Sequence, residues 1–182
     1  TRLVHPKSEV IATLMRAINS QQAISCEYVS LSSGKTKRQI VPHALVNNGH
    51  RWHVRGFDRK SQEFRDFVCT RFTQVTSTND CAKPNQLATK DDQFNRLVTL
   101  VLMVHPGIAH SHAIEMDYAM QNGEKIMQVR APLAAYILRY WQVDCSFEHR
   151  ILNQGCQLAL KNHEVLASIE NPQLAPGFTP KK

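Results

Sequence analysis

Basic and histidine side chains alternate with apolar ones in the centre of the stretch 28–72. In an extended strand successive side chains point to opposite faces, so Arg51, His53 and Arg55 share one face. Trp52 and Val54 share the other. Guanidinium and imidazole groups donate hydrogen bonds to phosphate and carboxylate oxygens. The pattern therefore predicts a strand with one face that packs in a core and one face that binds an anion.

The positive charge is concentrated around this strand. Residues 35–71 contain nine Lys or Arg and three Asp or Glu, a net charge of +6, and the whole chain carries +7. Such a segment indicates a negatively charged partner, with nucleic acid or a nucleotide as the first candidates. The alternative is a solvated strand face on which the arginines only pair with Asp58, Glu63 and Asp66.

Charge and composition also predict the domain organisation. Residues 1–80 carry a net charge of +6, whereas the remainder carries +1. Residues 76–92, around this boundary, form a polar stretch without hydrophobic periodicity, which is typical of a linker. We therefore expect a first domain at residues 1–80, a linker at 81–92 and a second domain at 93–182 that ends in a mobile, proline-rich tail.

The first domain is predicted to begin with a helix and to continue with five short strands. Ser8 is a candidate N-cap, and apolar residues follow it at helical spacing. Pro42 is expected to end the second strand. The predicted strands are residues 24–31, 38–41, 51–58, 63–69 and 71–76. Short strands joined by tight turns favour a small, strongly bent β-barrel.

The second domain alternates between strand and helix patterns. Its order is predicted as β-α-β-β-α, which is typical of a ferredoxin-like α+β fold. The predicted elements are a strand at 96–104, a helix at 108–113, a hairpin of 114–120 with 125–130, and a helix at 132–143.

Four spaced motifs occur in order between residues 24 and 75. They are Tyr28-x-Ser30-x-x-Ser33-Gly34, Arg38-x-Ile40-x-Pro42-His43-x-Leu45, Arg51-Trp52-His53-Val54-Arg55-Gly56-Phe57 and Phe64-Arg65-Asp66-Phe67-x-x-x-Arg71. This series resembles WYL-domain transcriptional regulators, and within them the branch of repressors linked to phage-defence operons. The Trp-Tyr-Leu for which the family is named reads Trp-His-Val here, so His53 stands at the tyrosine position.

The resemblance implies a fold and a set of site residues. The first domain would be an Sm-like or SH3-like barrel, and residues 93–170 are similar, more weakly, to the C-terminal extension of these regulators. A winged helix-turn-helix domain would precede residue 1. By family position the anion-binding residues would be His53, Arg55, Arg65 and Arg71, with Tyr28, Ser30 and His43 at the margin.

We therefore expect a ligand-sensing and dimerisation module of a bacterial transcriptional regulator, not an enzyme. An anionic effector, either a nucleotide or a short nucleic acid, would control an attached DNA-binding domain, and double-stranded DNA would be bound only through that domain. A homodimer is expected. One alternative is an RNA- or single-strand-binding barrel that stacks bases on Phe57, Phe67 and His53. Another is a metal-dependent phosphodiesterase or nuclease.

Several other classes lack sequence support. No nucleotide-binding loop or hydrolase motif occurs, and His105, His110, His112 and Glu115 do not have zinc-ligand spacing, so no cofactor and no metal are expected. The five cysteines have no C-x-x-C spacing and are predicted to be reduced thiols of a cytoplasmic protein. No apolar run approaches the roughly 20 residues of a membrane-spanning helix.

Overall fold

The computed structural model describes residues 4–151 and 155–180. The chain folds into two compact units, of which the first ends at Asp91 and the second begins at Asp92. Each unit has its own hydrophobic core built on an antiparallel sheet. No helix in the described part of the chain is long and apolar enough to cross a membrane.

The first unit contains one long helix and a five-stranded sheet. Its elements are α1 (Ser8–Ser20), β1 (Gln22–Ser30), β2 (Gly34–Asn47), β3 (Trp52–Asp58), β4 (Glu63–Val68) and β5 (Phe72–Cys81). The strands lie in the order β4-β3-β2-β1-β5. Within the described residues β4 and β5 do not pair, so the sheet is open. The closed Sm-like or SH3-like barrel predicted from the sequence is therefore not confirmed.

Helix α1 covers one face of this sheet. Val10, Leu14 and Ala17 recur at helical spacing and are buried against core residues that include Ile24 and Val54. Burial of a valine or leucine side chain contributes about 1.5–3 kcal/mol, so Val10 and Leu14 hold the helix on the sheet. The helix is confirmed, but the predicted capping role of its first serine is wrong, because the N-cap position is the preceding lysine and no side chain caps the helix.

Strand β2 bends where it passes Pro42. The prediction that this proline ends the strand is wrong, because the pairing with β3 resumes after a register shift between Pro42 and Ala44. His43 is the extra residue of this bulge, and a bulge tolerates a proline because ladder hydrogen bonds are interrupted there. Gly56 lies opposite Pro42, and a Cβ atom at Gly56 would approach the Val41 carbonyl oxygen to 2.6 Å. The close approach of the two strands therefore requires glycine.

The described residues of the second unit form a three-stranded sheet and three α-helices. Its elements are α2 (Asp92–Asn95), β6 (Leu97–Val104), α3 (Ser111–Asp117), β7 (Glu124–Arg130), α4 (Ala131–Tyr140) and β8 (Leu158–Leu160). The strands lie in the order β7-β6-β8. One face of β6, with Val98, Leu100 and Leu102, is buried in a core that also contains Leu138 of α4.

The predicted strand at 96–104, the strand at 125–130 and the helix that begins near Pro132 are confirmed. The predicted strand at 114–120 is wrong, because most of it lies in α3 and the turn that follows. The sheet has three strands among the described residues, so the ferredoxin-like fold is not confirmed. In the tail, Ala175 is buried and the Pro176 carbonyl accepts a hydrogen bond from the Cys145 N–H, whereas the mobility of the tail stays a prediction. Residues 181–182 lie outside the described part.

The cysteines differ in exposure. All five lie in the part of the chain that the structure describes, and all are free thiols. Burial raises the pKa of the Cys26 and Cys69 thiols to about 12 and also raises the pKa values of Cys145 and Cys156. Cys81, at the end of β5, is exposed.

Candidate anion-binding site

The alternation in β3 separates two kinds of side chain. Val54 packs beneath α1, and Trp52 packs at the edge of the same core. Arg55 and His53 are on the other face by strand parity. The pairing of β3 with β4 places Asp66 opposite Arg55, whereas Arg65 lies opposite Gly56. Directly opposed residues share a face, so Asp66 accompanies Arg55 and Arg65 belongs to the face that α1 covers.

Arg55 is the centre of the site. Its side chain is only 2% exposed. The guanidinium Nε lies 2.7 Å from Asp91 Oδ2, and Nη2 lies 3.0 Å from Asp91 Oδ1. Nη1 is 3.6 Å from Asp66 Oδ1. Arg55 therefore grips the Asp91 carboxylate with two parallel, charge-assisted hydrogen bonds, the geometry that arginine uses for oxyanions.

His43 adds a third donor to the same carboxylate. Its Nε2 lies 2.9 Å from Asp91 Oδ2. An ionised carboxylate only accepts hydrogen bonds, so this nitrogen carries the hydrogen and donates it. The bulge of β2 aims the His43 ring toward the face of Arg55, and the edge of Phe64 supports the ring at a centroid distance of 5.7 Å. We call Arg55, His43, Asp66 and Asp91 the Arg55 site.

Residues 82–91, which the sequence assigns to a linker, lie over this face of the sheet; we call them the covering segment. The Ala82 N–H donates to the Gln21 carbonyl oxygen at 2.8 Å, and Arg59 Nη2 donates to the buried Gln86 Oε1 at 3.1 Å. Two 3₁₀ turns lead to Asp91, whose side chain is 1% exposed. The covering segment thus brings its carboxylate to Arg55.

His53 and Arg71 form a second part of the predicted set. Burial lowers the pKa of His53 to about 4, and the positive charges of Arg51 and Arg71 contribute to this shift. His53 is therefore neutral at neutral pH. Arg71 lies in the 3₁₀ turn that follows β4 and is partly exposed. By strand parity, the neutral imidazole of His53 shares the face of Arg55.

The remaining predicted residues are not brought to the Arg55 site. The Tyr28 hydroxyl accepts a hydrogen bond from the Val68 N–H at 3.0 Å, and its ring packs edge-on against Phe67 in the core. Ser30 bonds Ser32 in the exposed turn between β1 and β2. Arg65 is exposed on β4, on the opposite face of the sheet from Arg55.

Asp91 is the functional candidate that sequence reasoning missed. It lies 36 residues from Arg55, at the end of a polar stretch without periodicity. Local patterns carry no information about a contact across that separation, so no sequence signal pairs the two residues.

The structure also bears on the two alternative functions. Phe57, Phe67 and His53, the predicted stacking residues, are all buried in the protein. Asp58 is fully buried and pairs with Arg38. Across residues 4–151 and 155–180, no group of three or more His, Cys, Asp or Glu side chains is arranged to hold a metal ion.

A second buried histidine–aspartate pair lies in the second unit. His105 Nε2 is 3.1 Å from Asp144 Oδ2, while His105 Nδ1 accepts a hydrogen bond from the Gly107 N–H. Asp144 also accepts hydrogen bonds from the Ser146 N–H and hydroxyl and from the Ile151 N–H. Burial alone would raise the pKa of Asp144, but these hydrogen bonds hold it below its ordinary value.

Two family models match the chain. Residues 9–77 match the WYL domain, and residues 97–166 match the domain described as "BrxR transcriptional regulator, C-terminal dimerization domain". The first match contains β1–β4 and most of the Arg55 site. The second contains β6, β7 and α4.

Curated relatives match both units together. The DNA-binding transcriptional repressor CapW of Escherichia coli (strain KTE188) is 32% identical over 165 residues, which are 89% of this chain and 54% of that protein. CapW of Pseudomonas aeruginosa is 32% identical over 166 residues, which again are 89% of this chain and 54% of that protein. The chain therefore spans about half the length of these relatives.

Among solved structures, the proteasome accessory factor PafBC of Arthrobacter aurescens is similar with a TM-score of 0.43 and 16% identity. That match covers 91% of this chain and 26% of the other. The score is too low to support a conclusion. The two domain matches and the relatives carry the assignment: a WYL domain at residues 9–77 is followed by a BrxR-type C-terminal dimerization domain at residues 97–166.

Proposed function

We propose that this chain is the ligand-sensing and dimerisation part of a bacterial transcriptional regulator. The relatives are named DNA-binding transcriptional repressors, and the second matched domain is named for dimerization. In the proposal, a ligand that carries an oxyanion, such as a nucleotide or short nucleic acid, binds on the β3 face. Its binding shifts the population of dimer geometries and so controls an attached DNA-binding domain.

The observation that carries the ligand-sensing part is the geometry around Arg55. Three side-chain N–H groups, two from Arg55 and one from His43, converge on the two oxygens of one carboxylate. All three donors project from paired strands of the sheet, so they are positioned before any ligand arrives. A phosphate presents oxygens of similar spacing and is bound by the same arginine geometry.

The predicted site residues take different roles in this proposal. Arg55 and His43 bind one oxyanion, and His53 with Arg71 binds a neighbouring group of the same ligand. Tyr28 supports the core beneath β4, and Ser30 shapes a turn. Arg65 adds to the positive field without contacting the ligand, because its strand position faces away from Arg55.

The dimerisation part rests on the exposed face of the second sheet. Leu97 is 57% exposed and Ile126 is 62% exposed, although both lie in strands. Ile126 pairs with Val101, so their side chains are neighbours on the face opposite the core. The same face also carries Thr99, Gln128 and Arg130. We infer that a second copy of the chain covers this face, because exposed apolar side chains on a strand are typical of an interface.

Binding of anions by the intact 182-residue chain tests the ligand-sensing proposal. The panel contains mononucleotides, dinucleotides, short DNA and short RNA, and fluorescence polarisation gives the affinities. Arg55→Lys keeps the charge but loses the bidentate geometry, so we expect about tenfold weaker binding, or roughly 1.4 kcal/mol. Lys60→Gln, in an exposed turn, should change the affinity less than twofold.

Equal effects of these two substitutions would mean that anions bind to a charged surface and not to the Arg55 site. Product analysis of the same mixtures tests the nuclease alternative. If any panel member is cleaved and chelation of metal ions abolishes the cleavage, the chain is a metal-dependent enzyme and the sensor proposal is wrong.

Light scattering tests the dimer. We expect twice the chain mass of 20.7 kDa at tens of micromolar protein. Ile126→Asp places a charge in the proposed interface and should give monomers. Met116→Asp, at an exposed apolar residue of α3 outside the sheet, is the matched control and should leave the dimer intact. Monomers in the unchanged chain would contradict the proposal.

A further inference from the structure

The carboxylate of Asp91 occupies the position that a ligand oxyanion would take at Arg55. It receives both parallel hydrogen bonds of the guanidinium and the Nε2 hydrogen bond of His43. Asp66 is a second acidic neighbour of the same guanidinium, at 3.6 Å. Arg55 thus already faces two carboxylates, so a third anion would be repelled unless one of them leaves.

Asp66 and Asp91 differ in how they are attached. Asp66 lies within β4, where its backbone pairs with Arg55 of β3. Asp91 is the last residue of the covering segment, which consists of two 3₁₀ turns with surface-exposed residues between its buried anchors. Departure of Asp66 would break a sheet, whereas departure of Asp91 needs only the movement of a short irregular segment. Asp91 is therefore the carboxylate that can be exchanged.

The residues just beyond Asp91 are fixed in the second unit. The Phe94 carbonyl accepts a hydrogen bond from Arg130 Nη1 at 2.7 Å, and the Arg96 carbonyl accepts one from the Ala131 N–H at 2.9 Å. Two residues, Asp92 and Gln93, separate Asp91 from Phe94. Asp91 is thus the last residue held in the first unit, and only two residues separate it from residues that are held in the second unit.

We propose that Asp91 is a built-in competitor of the ligand: an incoming phosphate or carboxylate group displaces it from Arg55 and His43, and the displacement releases the covering segment. This inference rests on the proposed function, because it describes the regulation of the same site. Release frees the segment that leads into the second unit, and so converts ligand binding into a change that the rest of the regulator can detect.

Asp91 should leave Arg55 only when a ligand oxyanion takes its place. If Asp91 left without a replacement, Arg55 would remain buried with one fewer partner for its charge, which is unfavourable. An oxyanion that enters restores both parallel hydrogen bonds. The tethered carboxylate has a high effective concentration at the site, so it lowers the apparent affinity of every ligand by the same factor. Removal of its charge should therefore reveal a higher intrinsic affinity.

Asp91→Asn and Asp92→Asn form a matched pair for the test. Both remove one negative charge from adjacent residues, but Asp92 is exposed and starts α2, whereas Asp91 contacts Arg55. The probes are inorganic pyrophosphate and a 5′-phosphorylated thymidine dinucleotide, titrated into the intact chain by calorimetry. We expect Asp91→Asn to bind at least tenfold more tightly than the unchanged chain, and Asp92→Asn to differ less than twofold.

The outcomes separate this inference from the proposed function. If the unchanged chain binds a probe and Arg55→Lys weakens binding, but Asp91→Asn binds no better than Asp92→Asn, the competitor role is wrong and the sensor remains. If neither the unchanged chain nor Asp91→Asn binds either probe, both proposals are wrong.

Hydrogen exchange of the unchanged chain gives a test that does not need a folded variant. Three N–H groups of the covering segment, those of Gln86, Lys90 and Asp91, donate to carbonyls within the segment. At saturating probe we expect their exchange to accelerate at least tenfold. The Gln62 N–H, bonded to the Asp58 carbonyl in the turn between β3 and β4, is the control and should not change. Unchanged exchange at all four positions would overturn the proposal.

Discussion

The two buried histidine–aspartate pairs use the same residue types in different surroundings. Asp91, in the first unit, is held by His43 and by the two parallel hydrogen bonds of Arg55. Asp144, in the second unit, is held by His105 and by the backbone and hydroxyl of the loop that follows it. The first carboxylate balances a cationic side chain of a distant strand, whereas the second organises its own loop.

The difference indicates what each carboxylate can do. Backbone N–H groups move only when the chain moves, so a carboxylate that satisfies them is part of the fold. A guanidinium on a strand stays in place when its partner leaves and accepts any oxyanion of suitable shape. We therefore interpret Asp144 as structural and Asp91 as exchangeable. Three predictions follow for this comparison, in order of decreasing effect.

Replacement of Asp144 should have the largest effect on stability. Asp144 is fully buried, and Asp144→Ala leaves two backbone N–H groups, a hydroxyl and His105 without their acceptor. We expect the free energy of unfolding of the second unit to fall by about 4 kcal/mol. Denaturant unfolding followed by circular dichroism measures it, and added phosphate should not restore the loss. Asp117→Ala, at an exposed aspartate of α3, is the control. A loss below about 1 kcal/mol would refute the structural role of Asp144.

Acid should destabilise the first unit through His53. The folded-state pKa of His53 is about 4, below the ordinary 6.5, so the unfolded chain binds the proton first. The stability of the first unit should fall from pH 6.5 to pH 4, by at most about 3 kcal/mol from this residue. In the second unit, burial also lowers the pKa of His149, so this residue acts in the same direction below pH 6.5, whereas the lowered pKa of Asp144 acts only as the pH falls below about 3.8.

His53→Gln isolates the contribution of His53 to this pH dependence. The difference in unfolding free energy between the unchanged chain and His53→Gln should change between pH 6.5 and pH 4 and be constant above pH 7. His110→Gln, at an exposed histidine, is the control. Parallel pH profiles for the unchanged chain and His53→Gln would show that His53 titrates normally.

The smallest effect is expected at Arg65. This arginine is exposed, on the face of the sheet that α1 covers, so Arg65→Gln should weaken anion binding by less than twofold, or a few tenths of a kcal/mol. Fluorescence polarisation at 0.15 M salt measures the change beside Arg55→Lys. A loss of tenfold or more would place Arg65 in the site and remove the distinction between the two faces of the sheet.

The sequence predicts those parts of the fold that depend on the local spacing of apolar residues. The alternation of β3 and the helical spacing of α1 are both local patterns, and both are confirmed. Closure of the first sheet depends on pairing between β4 and β5, which no local pattern reports. Helix α3 is too short, at seven residues, to show a helical period, so its β-forming residues were assigned to a strand.

The site was predictable to a similar degree. Strand parity placed Arg55 and His53 on one face, and this follows from the sequence alone. The position of Arg65 depends on the register of the hairpin between β3 and β4, where a shift of one residue reverses the face. The position of His43 depends on a bulge, and that of Asp91 on the path of an irregular segment, so both required the structure.

The exposure of Cys81 has a practical consequence for labelling chemistry. Maleimide reagents attack thiolates, and the buried thiols Cys26, Cys69 and Cys145, with their raised pKa values, form few of them at neutral pH. Cys156 is half-buried, and burial raises its pKa as well. Cys81 is the most exposed of the five thiols, and it immediately precedes the covering segment. A fluorescent dye attached there should report movement of that segment in real time, in a protein whose sequence has not been changed.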